Sequence, residues 1–132
     1  NNTVFFSDAS TKWVPTEFPN EMWEVNPSGR LIKVDLRTGE ASTLAWNLSF
    51  ANGVQVFPDK QSILVSESTA ARIIRVYIAG EKKGQVEVFI DNLPGLLKRT
   101  RTTTSLTSIA LTSIKYANRL LSRNCPRLRS VV

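Results

Sequence analysis

Any chemistry in this chain has to come from carboxylates, amides and hydroxyls, because its 132 residues include no histidine and a single cysteine, Cys125. That excludes Ser-His-Asp and Cys-His catalysis, imidazole-ligated zinc and an internal disulfide. Asp8 and Glu67 each close a strand-like run beside small polar residues, in Ser7-Asp8-Ala9-Ser10 and Ser66-Glu67-Ser68. Brought together at one site they are candidates for a carboxylate pair, one acid and one base. Held apart, they are strand-end turn and solvation residues. Asn47-Leu48-Ser49 and Asn1-Asn2-Thr3 fit the glycosylation sequon, which makes Asn47 a modification candidate in a secretory compartment.

The elements that must position these residues occupy only part of the chain. Residues 1–95 carry nine Lys/Arg and all eleven Asp/Glu, whereas residues 96–132 carry eight Lys/Arg and no acid. The net charge of +6 is therefore the property of a tail. After Gly95 the glycines stop, and Tyr116 is the one remaining aromatic. A basic arm for anionic lipid or nucleic acid is one reading of this tail, with Leu106, Ile109, Leu111, Ile114, Leu120 and Leu121 expected to form a weak amphipathic helix. The lack of interleaved aromatics argues against single-stranded nucleic acid. An unstructured end, or translation in a foreign frame, is the other reading. No apolar run approaches the ~20 residues of a membrane helix, and no basic-then-apolar leader is present. Opening at Asn1 immediately before a strand-like run, the chain is expected to be a fragment with a region upstream.

Short β-branched and aromatic runs alternate with turn signals in residues 1–95: Thr3–Ser7, Arg30–Leu36, Ser42–Trp46, Gly53–Phe57, Ser62–Glu67, Arg72–Ile78 and Val86–Ile90. This pattern predicts an all-β fold. Turns are expected at Asp35-Leu36-Arg37-Thr38-Gly39, at Pro58-Asp59-Lys60 and between Gly80 and Gly84. Arg30-Leu31-Ile32-Lys33-Val34-Asp35 recurs as Arg72-Ile73-Ile74-Arg75-Val76-Tyr77, and Asn47-Leu48 recurs as Asn92-Leu93. A repeat of about 40–50 residues carrying four strands is the mark of a propeller blade. One whole blade is predicted, from Gly53–Phe57 innermost to Val86–Ile90 outermost, preceded by the last three strands of another. The Lys12 to Ser28 segment is too Pro-rich for a helix, and its Trp13 and Trp23 are expected either to cover the blade edge or to meet a partner.

With Phe5-Phe6-Ser7-Asp8-Ala9-Ser10-Thr11-Lys12-Trp13, Pro27-Ser28-Gly29-Arg30-Leu31-Ile32-Lys33-Val34-Asp35, Phe50-Ala51-Asn52-Gly53-Val54, Arg72-Ile73-Ile74-Arg75 and Asp91-Asn92-Leu93-Pro94-Gly95, the chain resembles the strictosidine synthase-like family over residues 3–95. The resemblance implies a six-bladed β-propeller, related to calcium-dependent lactonases and arylesterases, with its site at the mouth of a central channel. This chain then amounts to about one and three-quarter blades plus an unrelated basic tail. In metal-dependent relatives the Asn that opens the innermost strand binds the ion, which points to Asn52 as a Ca²⁺ ligand; the alternative is a left-handed turn residue before Gly53. Lys98-Arg99 stands where the next blade would open with Asp-Asn. The catalytic Glu of true strictosidine synthases belongs to a later blade, so a condensing activity is not implied.

Two functions from different classes follow. In the first, the chain is part of a hydrolase whose complete form, using Ca²⁺, cleaves a small-molecule ester or lactone, in an endomembrane, vacuolar or cell-surface setting and attached through an upstream anchor. The chain alone is then expected to be inactive, and its exposed strand edges are open to self-association. In the second, it is a non-catalytic product whose Lys98, Arg99, Arg101, Arg119, Arg123, Arg127 and Arg129 contact anionic lipid or nucleic acid, with nucleic acid the less favoured of the two.

Overall fold

The computed structural model describes residues 2–94, together with the backbone of Leu97–Arg99 and Ile109–Leu111. The rest of the basic tail lies outside the described residues. That includes Cys125, the side chains of Lys98 and Arg99, and the arginines from Arg101 to Arg129.

Seven strands occupy residues 3–90, close to the positions that pattern and turn chemistry predict, with short turns everywhere except between the first two. β1 (Thr3–Asp8), β2 (Gly29–Asp35) and β3 (Ala41–Leu48) form one antiparallel sheet in that order. β4 (Ala51–Val56), β5 (Ser62–Glu67), β6 (Arg72–Tyr77) and β7 (Val86–Ile90) form a second, again in chain order. The strands β8 (Leu97–Arg99) and β9 (Ile109–Leu111) pair antiparallel, and their backbone lies against β4, so Ile109 and Leu111 belong to a strand and not to the amphipathic helix expected of the tail. A four-stranded meander beside a three-stranded one is the predicted pair of blades, complete and incomplete.

The internal repeat has a structural cause. Asn47 and Asn92 both adopt left-handed backbone angles, with φ of 57° and 53°. Asn tolerates that region better than most residues, because its short polar side chain bonds locally. Each is followed by a buried leucine, Leu48 or Leu93. The Asn-Leu pair therefore ends a blade by turning the chain and plugging the core behind it.

Two clusters hold the sheets. Leu31, Ala45, Leu48, Ala51, Ile63, Val65, Ile74 and Val76 join the facing sides of both. Leu64, Ile73, Ile90 and Leu93 pack with Phe57 and Phe89 on the far side of β4–β7. β5 is buried along all six residues, so it is the strand with both faces covered. β1 and β7 are edges, and both leave apolar side chains exposed: Val4 and Phe6, Val86 and Val88.

The expectation for the β1–β2 connection is overturned. The segment between β1 and β2 is helical in part, with a 3-10 turn at Pro15–Glu17 followed by α1 (Phe18–Glu24). Its prolines do not prevent this, because Pro19 falls in the first turn of α1, where the missing N–H has no intrahelical partner to lose. α1 ends at Val25, whose φ of 50° stops the helix.

Candidate functional site

Asn52 and Gly53 sit in an irregularity of the β4–β5 ladder. Ala51 faces Glu67 and Val54 faces Val65, so two residues of β4 oppose the single residue Ser66. This is a β-bulge, a device that bends a strand and re-aims its side chains. The backbone groups it takes out of the ladder are satisfied otherwise. Gly53 N–H donates to Ser66 Oγ at 2.7 Å, and the Asn52 carbonyl accepts from the Ser7 hydroxyl of β1. The Asn52 side chain donates through Nδ2 to Ser68 Oγ at 3.4 Å. Asn52 is thus part of a strand; the left-handed residue nearby is Phe50, with φ of 53°. The turn-residue reading of Asn52 is corrected accordingly.

The predicted carboxylates flank this bulge on neighbouring strands, each held by its own arginine. Asp8 and Arg30 are cross-strand partners in β1–β2, with Nε 2.8 Å from Oδ2. Glu67 and Arg72 hold the equivalent relation in β5–β6. The two repeated Arg residues at the starts of the Arg30 and Arg72 motifs, in β2 and β6, are therefore the counter-ions, one per blade. Their surroundings differ. Asp8 and Arg30 are both partly exposed, whereas the Glu67 side chain is 0% exposed and also accepts from Ser49 N–H at 2.7 Å. The hydrogen bond to Glu67 raises the Arg72 guanidinium above its ordinary value, so the arginine keeps its charge.

Three residues that sequence reasoning passed over complete this end of the molecule. Glu21 of α1 is buried and accepts from Ser10 Oγ at 2.7 Å and Ser28 Oγ at 2.6 Å. Ser10 Oγ in turn accepts from the backbone N–H of Lys12 and Trp13. This network closes the neck of the β1–β2 connection, and Phe18 packs edge-on against Phe50 at 5.2 Å between ring centres. The helix is thus held beside the bulge. Trp13 is half-buried, but Trp23 is 84% exposed, so Trp23 does not cover a blade edge as expected.

A second clamp on α1 is sensitive to acid. Lys12 Nζ lies 2.8 Å from both oxygens of Glu24, and Trp13 Nε1–H donates to it at 3.1 Å. These bonds, that of Lys12 foremost, hold the Glu24 carboxyl below its ordinary value of 4.5. A carboxyl depressed on folding contributes above its unfolded value and loses that contribution as pH falls through the folded one. Trp13 emission, isolated by Trp23→Phe and Trp46→Phe, is therefore expected to change as pH drops from 5 to 3. Emission that stays flat across that interval contradicts the clamp.

Among the described residues no three Asp, Glu or Cys side chains gather closely enough to hold a metal ion. A calcium ion takes about 6–8 oxygens, and here the two nearby carboxylates are already committed to guanidinium groups. The donor set of the described residues does not by itself fit one. Asn47 is exposed, at the end of β3.

Comparison with known proteins brings a family into view. The strictosidine synthase family model matches residues 1–81. The chain is similar to the adipocyte plasma membrane-associated protein of Salmo salar, 42% identical over 102 residues, which is 77% of this chain and 24% of that protein. The Homo sapiens protein of the same name is 38% identical over 102 residues, 77% and 24% of the two chains. Hemomucin of Drosophila melanogaster is 37% identical over 93 residues, 70% of this chain and 16% of that one. The chain thus spans about a quarter of the length of the vertebrate relatives it matches.

Proposed function

The chain belongs to the strictosidine synthase family, whose members are β-propellers, and from that premise we propose that it supplies two adjacent blades of a propeller that hydrolyses a small ester or lactone. The β-bulge at Asn52-Gly53 is the observation that supports this most directly. It interrupts the innermost strand of the complete blade near its start and takes the Gly53 N–H out of the regular ladder. Bulges of this kind recur beside active sites.

In this reading Asn52 offers one amide oxygen to a calcium ion whose other ligands come from blades beyond this chain. Asp8 and Glu67 serve the site as fixed groups, each held in place by its arginine. Catalysis by positioning needs the full ring, so the chain alone is inactive. A membrane or cell-surface setting follows from the names of its relatives. Among the described residues no helix is long and apolar enough to cross a membrane. A glycan on Asn47 fits the same setting.

The test is a chimera in which residues 2–94 replace the matching segment of a full-length relative. Phenyl acetate hydrolysis is expected from the chimera and not from the isolated chain. Asn52→Ala in the chimera is expected to lower it by more than about tenfold, the least that disturbing a metal site's own partners usually costs. Full activity in the Asn52→Ala chimera overturns the role of Asn52.

A further inference from the structure

We propose that a second site, unconnected with the bulge, lies at the opposite end of the same strands and takes an amphiphilic anion: an apolar body ending in a carboxylate or phosphate. A cleft of about 600 Å³ opens there between the two sheets. Its volume falls within the roughly 300–1,000 Å³ usual for small-molecule sites. One end of β4, at Asn52, belongs to the bulge; the other, at Val56, lines this cleft, about 13 Å of strand away.

The charge around the cleft is of one sign. Lys33 of β2, Lys60 of the β4–β5 turn and Lys83 of the β6–β7 turn all line it, and among the described residues no carboxylate does. The other described lysines are ion-paired, Lys12 with Glu24 and Lys82 with Glu87. The three lining the cleft have no ion-pair partner among the described residues. Three separate elements, drawn from both sheets, thus bring unneutralised ammonium groups to one cavity. Between them the walls are apolar, made by Phe5, Leu44, Val56 and Ile78. Phe5, Leu44 and Ile78 belong to the layer packed on the inter-sheet core. A bare phosphate ion leaves those walls wet, and an uncharged hydrocarbon leaves the ammonium groups unanswered. An anion with an apolar body satisfies both, through charge at the rim and burial of apolar surface within.

Isothermal titration of the 132-residue chain with dodecanoate and with dodecyl phosphate, below their micelle concentrations, tests the proposal. Saturable binding of one equivalent is expected from both. Dodecyl maltoside, with the same chain and no charge, and inorganic phosphate, with the charge and no chain, are each expected to bind at least tenfold more weakly. The Lys33→Gln/Lys60→Gln/Lys83→Gln variant is expected to lose about thirtyfold in affinity, the sum of three modest exposed charge contacts. Lys12→Gln should leave affinity unchanged. Far-UV circular dichroism confirms the fold of the triple variant; independently of it, 0.5 M NaCl should weaken dodecanoate binding to the native chain by a similar factor. Equal affinity for the maltoside, undiminished binding by the triple variant or indifference to salt overturns the site.

Discussion

Replacing Arg72 with leucine is expected to destabilise the fold by about 3 kcal/mol, near the lower end of the cost of breaking a buried ion pair. The reason lies in the asymmetry of the pair. Glu67 is fully buried and Arg72 is 36% exposed, so removing the arginine strands a charge inside, with the Ser49 N–H as its remaining partner. Removing the carboxylate instead leaves a guanidinium that reaches water. Glu67→Leu is therefore expected to cost less than Arg72→Leu. The double variant is expected to fall short of the sum by at least 1 kcal/mol, because contacting residues do not act additively. Asp8 and Arg30 occupy the same positions in the first blade, yet both are partly exposed, and Arg30→Leu should cost below about 1 kcal/mol. Urea unfolding of the four variants makes the comparison. An Arg72→Leu cost as small as that of Arg30→Leu contradicts the argument.

The second large effect is expected at Gly29, which opens β2 where the two sheets and the helical connection meet. A Cβ there would stand 2.8 Å from the Leu48 carbonyl, 2.9 Å from the Ala9 carbonyl and 3.1 Å from the Ala51 N. All three are backbone atoms, so no side chain can swing aside to relieve the clash. Gly29→Ala is expected to cost about 3 kcal/mol, since β2 must shift away from β3 and β4 together. Gly39 provides the contrast. It has a φ of +74° and nothing within 4 Å of its would-be Cβ, so alanine there meets backbone strain alone, about 1 kcal/mol. Thermal unfolding separates the two cases, and equal shifts for Gly29→Ala and Gly39→Ala contradict the packing explanation.

Much of the fold is legible in the sequence because strand formation here is local. Ser62–Glu67 and Val86–Ile90 are bounded by turn residues on both sides, and their limits coincide with the strands observed. The repeated Arg30 and Arg72 motifs mark corresponding strands of two blades, and antiparallel pairing then places each beside a strand-end carboxylate. The candidate site is legible only in part. Asn52-Gly53 stands out as a residue pair, but the bulge depends on two residues facing the single Ser66, and pairing register is set by the partner strand. Glu21 gives no signal of its burial. Its place inside follows from Ser10 and Ser28, which α1 meets only after the connection has folded back. The helix itself is obscured by prolines whose cost vanishes in the first turn.

The long β1–β2 connection also orders assembly in time. It spans residues 9–28, whereas the β4–β5 and β5–β6 turns span 57–61 and 68–71. Closing a loop of that length costs roughly 1 kcal/mol more entropy than closing a short one. Sheet β4–β7, built wholly from local hairpins, is the natural nucleus, and β1 joins late. The Ser10, Ser28 and Glu21 bonds at the neck of the connection offset that penalty, since they tie its two ends together next to the first β1–β2 rung, Asp8 opposite Arg30. The fastening of α1 thus lowers the entropic cost of bringing β1 onto β2.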